Sequence, residues 1–374
     1  MVRAAPLMIV SAFGVGSQFA PAAAQDAKEP PKNGVPAAVL KGGDPAPPLK
    51  VSRWLQGEEV KAFEPGKVYV VEFWATWCGP CIAFMPHLAR LQAEYKDKGV
   101  TVIGFTSRDL LGNPDHTEEM VAAFVKKRGP GLKYTFAYAD DPASADAWLK
   151  AAGRTGIPCT FVVDKAGRIA YIGHPMYLPL VLPKVVEGAD GAKAVSDEMA
   201  KVEAEFAASS AERARDPEAG LRAVKAFEAK YPPLADFVPS VRVKLSYLPR
   251  HGEVGEAKEY AERLMARAVE RGDRLTLSMV ASILRLGDGK ESKELLAVAV
   301  RAAEAESRLA GGADALALIS LANTYAVAGD AAKAKESARK AVEAAEAAGE
   351  PASLREYVGR EARRLGGEEA GGKK

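Results

Sequence analysis

The stretch Val71-Glu-Phe-Trp-Ala-Thr-Trp-Cys-Gly-Pro-Cys81 decides the fold. Its first half lies in residues 68–74, a β-branched and aromatic run with the length of a buried strand. Its second half opens a helix over residues 81–95, where Ile82, Met85, Leu88 and Leu91 recur at helical spacing. A cysteine at a helix N-terminus meets unpaired backbone N–H groups and the positive end of the helix dipole, which stabilises its thiolate. Two intervening residues put Cys81 within one turn of Cys78, close enough to resolve a mixed disulfide. Pro80 is tolerated because a first-turn N–H has no helical acceptor. Zinc sites use the same cysteine spacing, but a tetrahedral site needs two more ligands. The chain has no second C-x-x-C, and the nearest histidine is His87.

Strand and helix patterns alternate on either side of this segment. Residues 100–106 and 134–138 read as strands, and 117–127, opened by Thr117, and 143–152 as helices. Residues 160–163 and 169–172 read as a hairpin around Asp164-Lys-Ala-Gly167. The expected fold is an α/β domain with a central mixed sheet flanked by helices. From about residue 196 to residue 365 no strand pattern appears, and Ala, Glu, Lys, Arg and Leu recur at helical period. Leu318, Leu321, Ala322 and Tyr325, then Gly329-Asp330, then Ala334, Ala338 and Ala341 follow the spacing of a tetratricopeptide helix pair. Residues 245–264 and 284–303 carry weaker copies. An all-α region of helical hairpins is therefore expected after the α/β domain, with a plain Ala-rich bundle as the alternative.

Three separated matches carry a resemblance to a known family. The Val71–Cys81 segment, with Pro86 five residues later, resembles the active-site segment of the thioredoxin superfamily. Gly156-Ile157-Pro158 ahead of a strand resembles its cis-proline loop, and Gly173 matches a family glycine. Within the superfamily the chain is similar to exported thiol-disulfide reductases of the TlpA/ResA type. The lead-in Gly43-Asp-Pro-Ala-Pro47 and the extra strand-helix segment before Pro158 carry that part of the likeness. The resemblance spans about residues 44–180. It implies Cys78 as nucleophile, Cys81 as resolving thiol, and Glu72 as a buried acid that relays the Cys81 proton. It also implies a substrate-facing rim of Trp77, Gly79, Pro80, Ile157 and a cis Pro158. The Cys78–Cys81 disulfide itself is the expected redox group, with no further cofactor and no metal. Cys159 departs from the family pattern, which puts Thr or Ala after the cis-proline. It reads as a buried small side chain, with a third redox-active thiol or a soft-metal ligand beside Cys78 as the sharper alternative.

The 374 residues suggest two domains. Lys and Arg number 51 and Asp and Glu 49, a balance that gives no electrostatic case for nucleic acid. Three cysteines exclude a disulfide-stapled fold. Residues 1–24 read as a signal peptide, with Arg3, an apolar stretch and the small residues Ala22-Ala23-Ala24, so an exported, periplasmic protein is expected. An uncleaved N-terminal anchor is the alternative. The expected order is linker 25–43, thioredoxin-like domain 44–188, helical domain 189–365 and disordered tail 366–374. The expected activity is reduction or exchange of disulfides in exported proteins, with a membrane thiol donor for recycling. The alternative is a scaffold whose helical domain binds a protein or peptide while the α/β domain docks or senses redox state.

Overall fold

A computed structural model describes residues 39–366 except 109, 113–115, 189, 236–237 and 349–351. The signal-peptide reading, most of the linker and residues 367–374 lie outside the described residues. The central strand is β2 (Val68–Phe73), every residue of which is buried. A strand covered on both faces must be nearly all apolar, and Glu72 is its one exception. Around it stand β1 (Arg53–Gln56), β3 (Val100–Ser107), β4 (Thr135–Ala139), β5 (Cys159–Val163) and β6 (Ile169–Gly173). Among the described residues they form one sheet in the order β1-β4-β3-β2-β5-β6. Strands β2, β3 and β4 are parallel, whereas β1, β5 and β6 pair antiparallel with their neighbours.

Helix α1 (Gly79–Tyr95) follows β2 and buries Cys81, Phe84, Met85, Leu88, Leu91 and Tyr95; of the expected stripe Met85, Leu88 and Leu91 are buried and Ile82 is half-buried. Helix α2 (Glu118–Leu132) starts as expected, because the Thr117 side chain accepts from the Met120 N–H. The helix expected over residues 143–152 is different. A single α-turn, α3 (Ala143–Ala145), passes into a wider π-turn, Asp146–Lys150. The wider turn accompanies the burial of two consecutive large side chains, Trp148 and Leu149. The Trp148 ring packs edge-on against Phe63 and Phe161.

Two elements have no counterpart in the sequence reading. Edge strand β1 is short and half exposed, without a β-branched run. Helix α4 (Leu178–Glu187) carries Pro179 in its first turn and Pro183 inside, two residues that argue against a helix when read alone. The lead-in is also tied down earlier than residue 44. The Leu40 N–H donates to Ala151 O and the Gly43 N–H to Ile169 O, each at 2.8 Å.

The helical region consists of α5 (Ala192–Arg215), α6 (Pro217–Lys230), α7 (Val238–Arg250), α8 (Val254–Glu270), α9 (Arg274–Leu286), α10 (Lys293–Leu309), α11 (Ala315–Val327), α12 (Ala331–Ala347) and α13 (Ala352–Gly366). It does not begin where the sheet's core ends. Ala192, Val195, Met199 and Val202 of α5, with Phe227 of α6 and Leu234, belong to the same apolar cluster as the sheet. Further clusters fill the layers between α7, α8, α9 and α10, and between α11, α12 and α13. Small residues make this close packing: Ala257, Ala261, Ala299, Ala302, Ala322 and Ala341 are all fully buried. No helix among the described residues is long and apolar enough to cross a membrane.

Candidate active site

Cys78 is the N-cap residue of α1, and Pro80 stands in the first turn. Cys78 and Cys81 are joined in a disulfide, with their Cα atoms 5.3 Å apart. The Cys81 N–H donates to Cys78 Sγ at 3.2 Å. That bond is what a helix N-terminus offers a sulfur acceptor: a first-turn N–H with no partner inside the helix. Both sulfur-bearing side chains are almost fully covered, whereas Trp77 beside them is 45% exposed and Gly79 is also exposed.

Strand β5 runs antiparallel beside β2, with Phe73 opposite Cys159 and Glu72 opposite Thr160. The Ile157–Pro158 peptide bond is cis, and Pro158 leads directly into β5. Topology thus brings residues 157–160 alongside residues 72–74, which lead into the dithiol. Ile157 and Pro158 are half-buried.

Glu72 is 2% exposed. The Thr160 hydroxyl donates to its Oε2, and among the described residues Oε1 has no partner. Across the sheet its row is Phe136, Gly104, Glu72, Thr160 and Gly173. Both glycines are places of close approach. A Cβ on Gly104 would sit 3.1 Å from the Phe136 ring, and one on Gly173 would overlap the Tyr171 hydroxyl. Burial pushes the Glu72 carboxyl up to about 8, only partly offset by the Thr160 hydrogen bond. At neutral pH the carboxyl is therefore mostly protonated and can give a proton, while its ionised fraction can take one.

Cys159 is buried and reduced. Burial pushes its thiol up to about 12, against the pull of Arg154 and with the help of Glu72 and Glu203. Glu203 comes from α5, where it accepts from the Tyr171 hydroxyl at 2.8 Å. Neither Glu203 nor Thr160 was legible as a site neighbour, because each is brought in by packing over a long sequence separation. Among the described residues no group of three or more His, Cys, Asp or Glu is arranged to hold a metal.

The model of the family described as Redoxin matches residues 41–176. Protein FixW of Rhizobium leguminosarum is 38% identical over 152 residues, 41% of this chain and 69% of FixW. The chain belongs to the redoxin family. This redoxin is also 32% identical over 119 residues to the thiol-disulfide oxidoreductase ResA of Bacillus thuringiensis, 31% of this chain and 60% of ResA. A solved thiol-disulfide isomerase of Corynebacterium glutamicum aligns over 38% of this chain and 96% of its own, at 25% identity and a TM-score of 0.32. The redoxin is similar to thiol-disulfide oxidoreductases over the α/β part that carries Cys78 and Cys81.

Proposed function

We propose that this redoxin reduces or exchanges disulfides of exported proteins through the Cys78–Cys81 pair. The observation that carries the reading is the pair itself, set at the start of α1 with the Cys81 N–H on Cys78 Sγ. In the reduced chain the Cys78 thiolate attacks one sulfur of a target disulfide. A Cys78–target bond forms, the target's S–S bond breaks, and one target thiolate leaves. Cys81 then attacks Cys78 Sγ, the mixed disulfide breaks, and the second target thiol is released. Two electrons pass to the target, and the chain ends with the Cys78–Cys81 disulfide. Glu72 in its ionised form is the group suited to take the Cys81 proton, since burial lifts its carboxyl to about 8, closer to a thiol than an ordinary carboxylate is. Trp77, Gly79, Pro80, Ile157 and Pro158 form the rim against which an extended substrate segment would lie.

Return to the reduced form requires a thiol donor, which for an exported protein is a membrane dithiol protein. Cys159 is a packing residue in this scheme, because a thiol pushed up to about 12 supplies almost no thiolate at neutral pH. The helical region is read as tetratricopeptide-like hairpins that bind a protein or peptide, supported by successive helices joined by turns such as Gly329-Asp330 and packed through alanines. The test is reduction of insulin disulfides by the chemically reduced chain. Wild type should reduce insulin, and Cys78→Ser should lose the activity entirely. No reduction by the wild-type chain contradicts the proposal.

A further inference from the structure

His116 lies between β3 and α2 and is fully buried. The scheme above gives it no task, yet both ring nitrogens meet threonine hydroxyls. Nδ1 is 3.1 Å from Thr76 Oγ1, and Nε2 is 2.7 Å from Thr106 Oγ1. A hydroxyl both donates and accepts, so either neutral tautomer closes the bridge with one donating and one accepting nitrogen. The two threonines differ in their surroundings. Thr106 is fixed within the buried strand β3. Thr76 sits in the connection from β2 to α1, two residues before Cys78.

Among the described residues that connection has two backbone ties. The Trp74 N–H donates to Phe105 O at 3.2 Å, and the Cys78 N–H to Ala75 O at 3.0 Å. The first tie holds the start of the connection to β3, and the second lies within the connection itself. The His116 bridge holds its middle to β3 through side chains.

We propose that His116 is a positioning residue of the dithiol site. Through Thr76 it holds residues 75–77 against β3, and so keeps Cys78 Sγ in line with the Cys81 N–H. It acts on the loop and not on the sulfur. This inference rests on reading Cys78–Cys81 as an exchange centre. An imidazole that merely filled core volume would need neither hydroxyl, so removing one hydroxyl at constant shape separates the two roles.

The test uses the full chain and three variants, Thr76→Val, His116→Ala and His116→Gln. The rate at which reduced Cys78 attacks a small aryl disulfide is measured at neutral pH, with the melting temperature recorded for each protein. Thr76→Val and His116→Ala should slow the attack about three- to tenfold, the effect of weakening one hydrogen bond to a thiolate. His116→Gln should restore most of the rate, because an amide can donate to one threonine and accept from the other. Thr76→Val keeps the imidazole and the side-chain volume, so it remains decisive if a His116 variant does not fold. A folded Thr76→Val chain that reacts at the wild-type rate overturns the proposal, as does a folded His116→Gln chain as slow as His116→Ala. A wild-type chain with no exchange at all overturns the exchange reading instead.

Discussion

At the scale of single residues, Glu72 is the group whose behaviour follows most directly from its surroundings. Its unfolded-state value is near 4.5, and burial raises the folded value to about 8. Between those values the folded chain holds a proton that the unfolded chain has lost. Stability from this group is therefore full below about 4.5, falls as pH rises toward 8, and levels off above that. Glu72→Gln removes the titration, so the variant should gain melting temperature relative to wild type as pH goes from 6 to 8. The accumulated difference is on the order of a few kcal/mol. A constant offset between the two melting curves would contradict the assignment. The same substitution should slow the Cys81 step about a hundredfold while leaving the first attack by Cys78 unchanged, so a mixed disulfide should accumulate. The placement of Cys78, Cys81 and Glu72 near one another was legible because all three lie in one short segment with strand and helix signals around it. His116, Thr160 and Glu203 were not, because nothing local in the sequence says which long-range partner a buried polar side chain meets. His174 shows the same limit. It accepts from the Met176 N–H at the start of the next turn, and its ring packs edge-on against Phe84. Burial lowers it to about 4.

At the scale of elements, the helix starts were easier to read than the irregular turns. Thr117 before Glu118 is a local signal, and α2 starts there. The π-turn at Asp146–Lys150 is set by what Trp148 must reach, and β1 exists because β4 offers it an edge; neither requirement is local. Asp273 shows how an element's end can carry two tasks. Its Oδ1 accepts from the Thr276 N–H and caps α9, while its Oδ2 accepts from Arg90 of α1 at 3.2 Å. Arg90 is partly covered, and among the described residues its Nη1 has no partner. Asp273→Ala removes the cap and leaves the guanidinium without its carboxylate, a loss of about 2–3 kcal/mol. Thr117→Ala removes a cap alone and should cost about 1 kcal/mol. Urea denaturation of both variants checks the order, and equal losses would contradict the second role of Asp273.

At the scale of the whole molecule, the composition change near residue 190 marks a change of secondary structure but not the end of a core. Periodicity showed helices from about residue 196 onward, and nothing in it could show that the first of them packs on β6. Val195, Met199 and Val202 of α5 lie in the sheet's own apolar cluster, with Phe227 and Leu234. A fragment ending at residue 188 should therefore expose the surface that these side chains cover, and should melt well below a fragment ending at residue 234. Equal melting temperatures would show that α5 and α6 add nothing to the α/β core. Beyond them the helices carry their own clusters, and Arg90 with Asp273 ties the turn before α9 to α1. The helical region is thus joined to the helix that bears the dithiol, not merely strung behind it.

The central claim is that Cys78 and Cys81 form a reversible two-electron couple while Cys159 stands apart. Titration of the intact chain through a glutathione redox buffer, with thiols counted at each point, tests it most directly. The expected result is one two-electron transition in which the Cys78 and Cys81 thiols disappear together and Cys159 stays reduced. Absence of any transition, or loss of the Cys159 thiol within it, would contradict the claim.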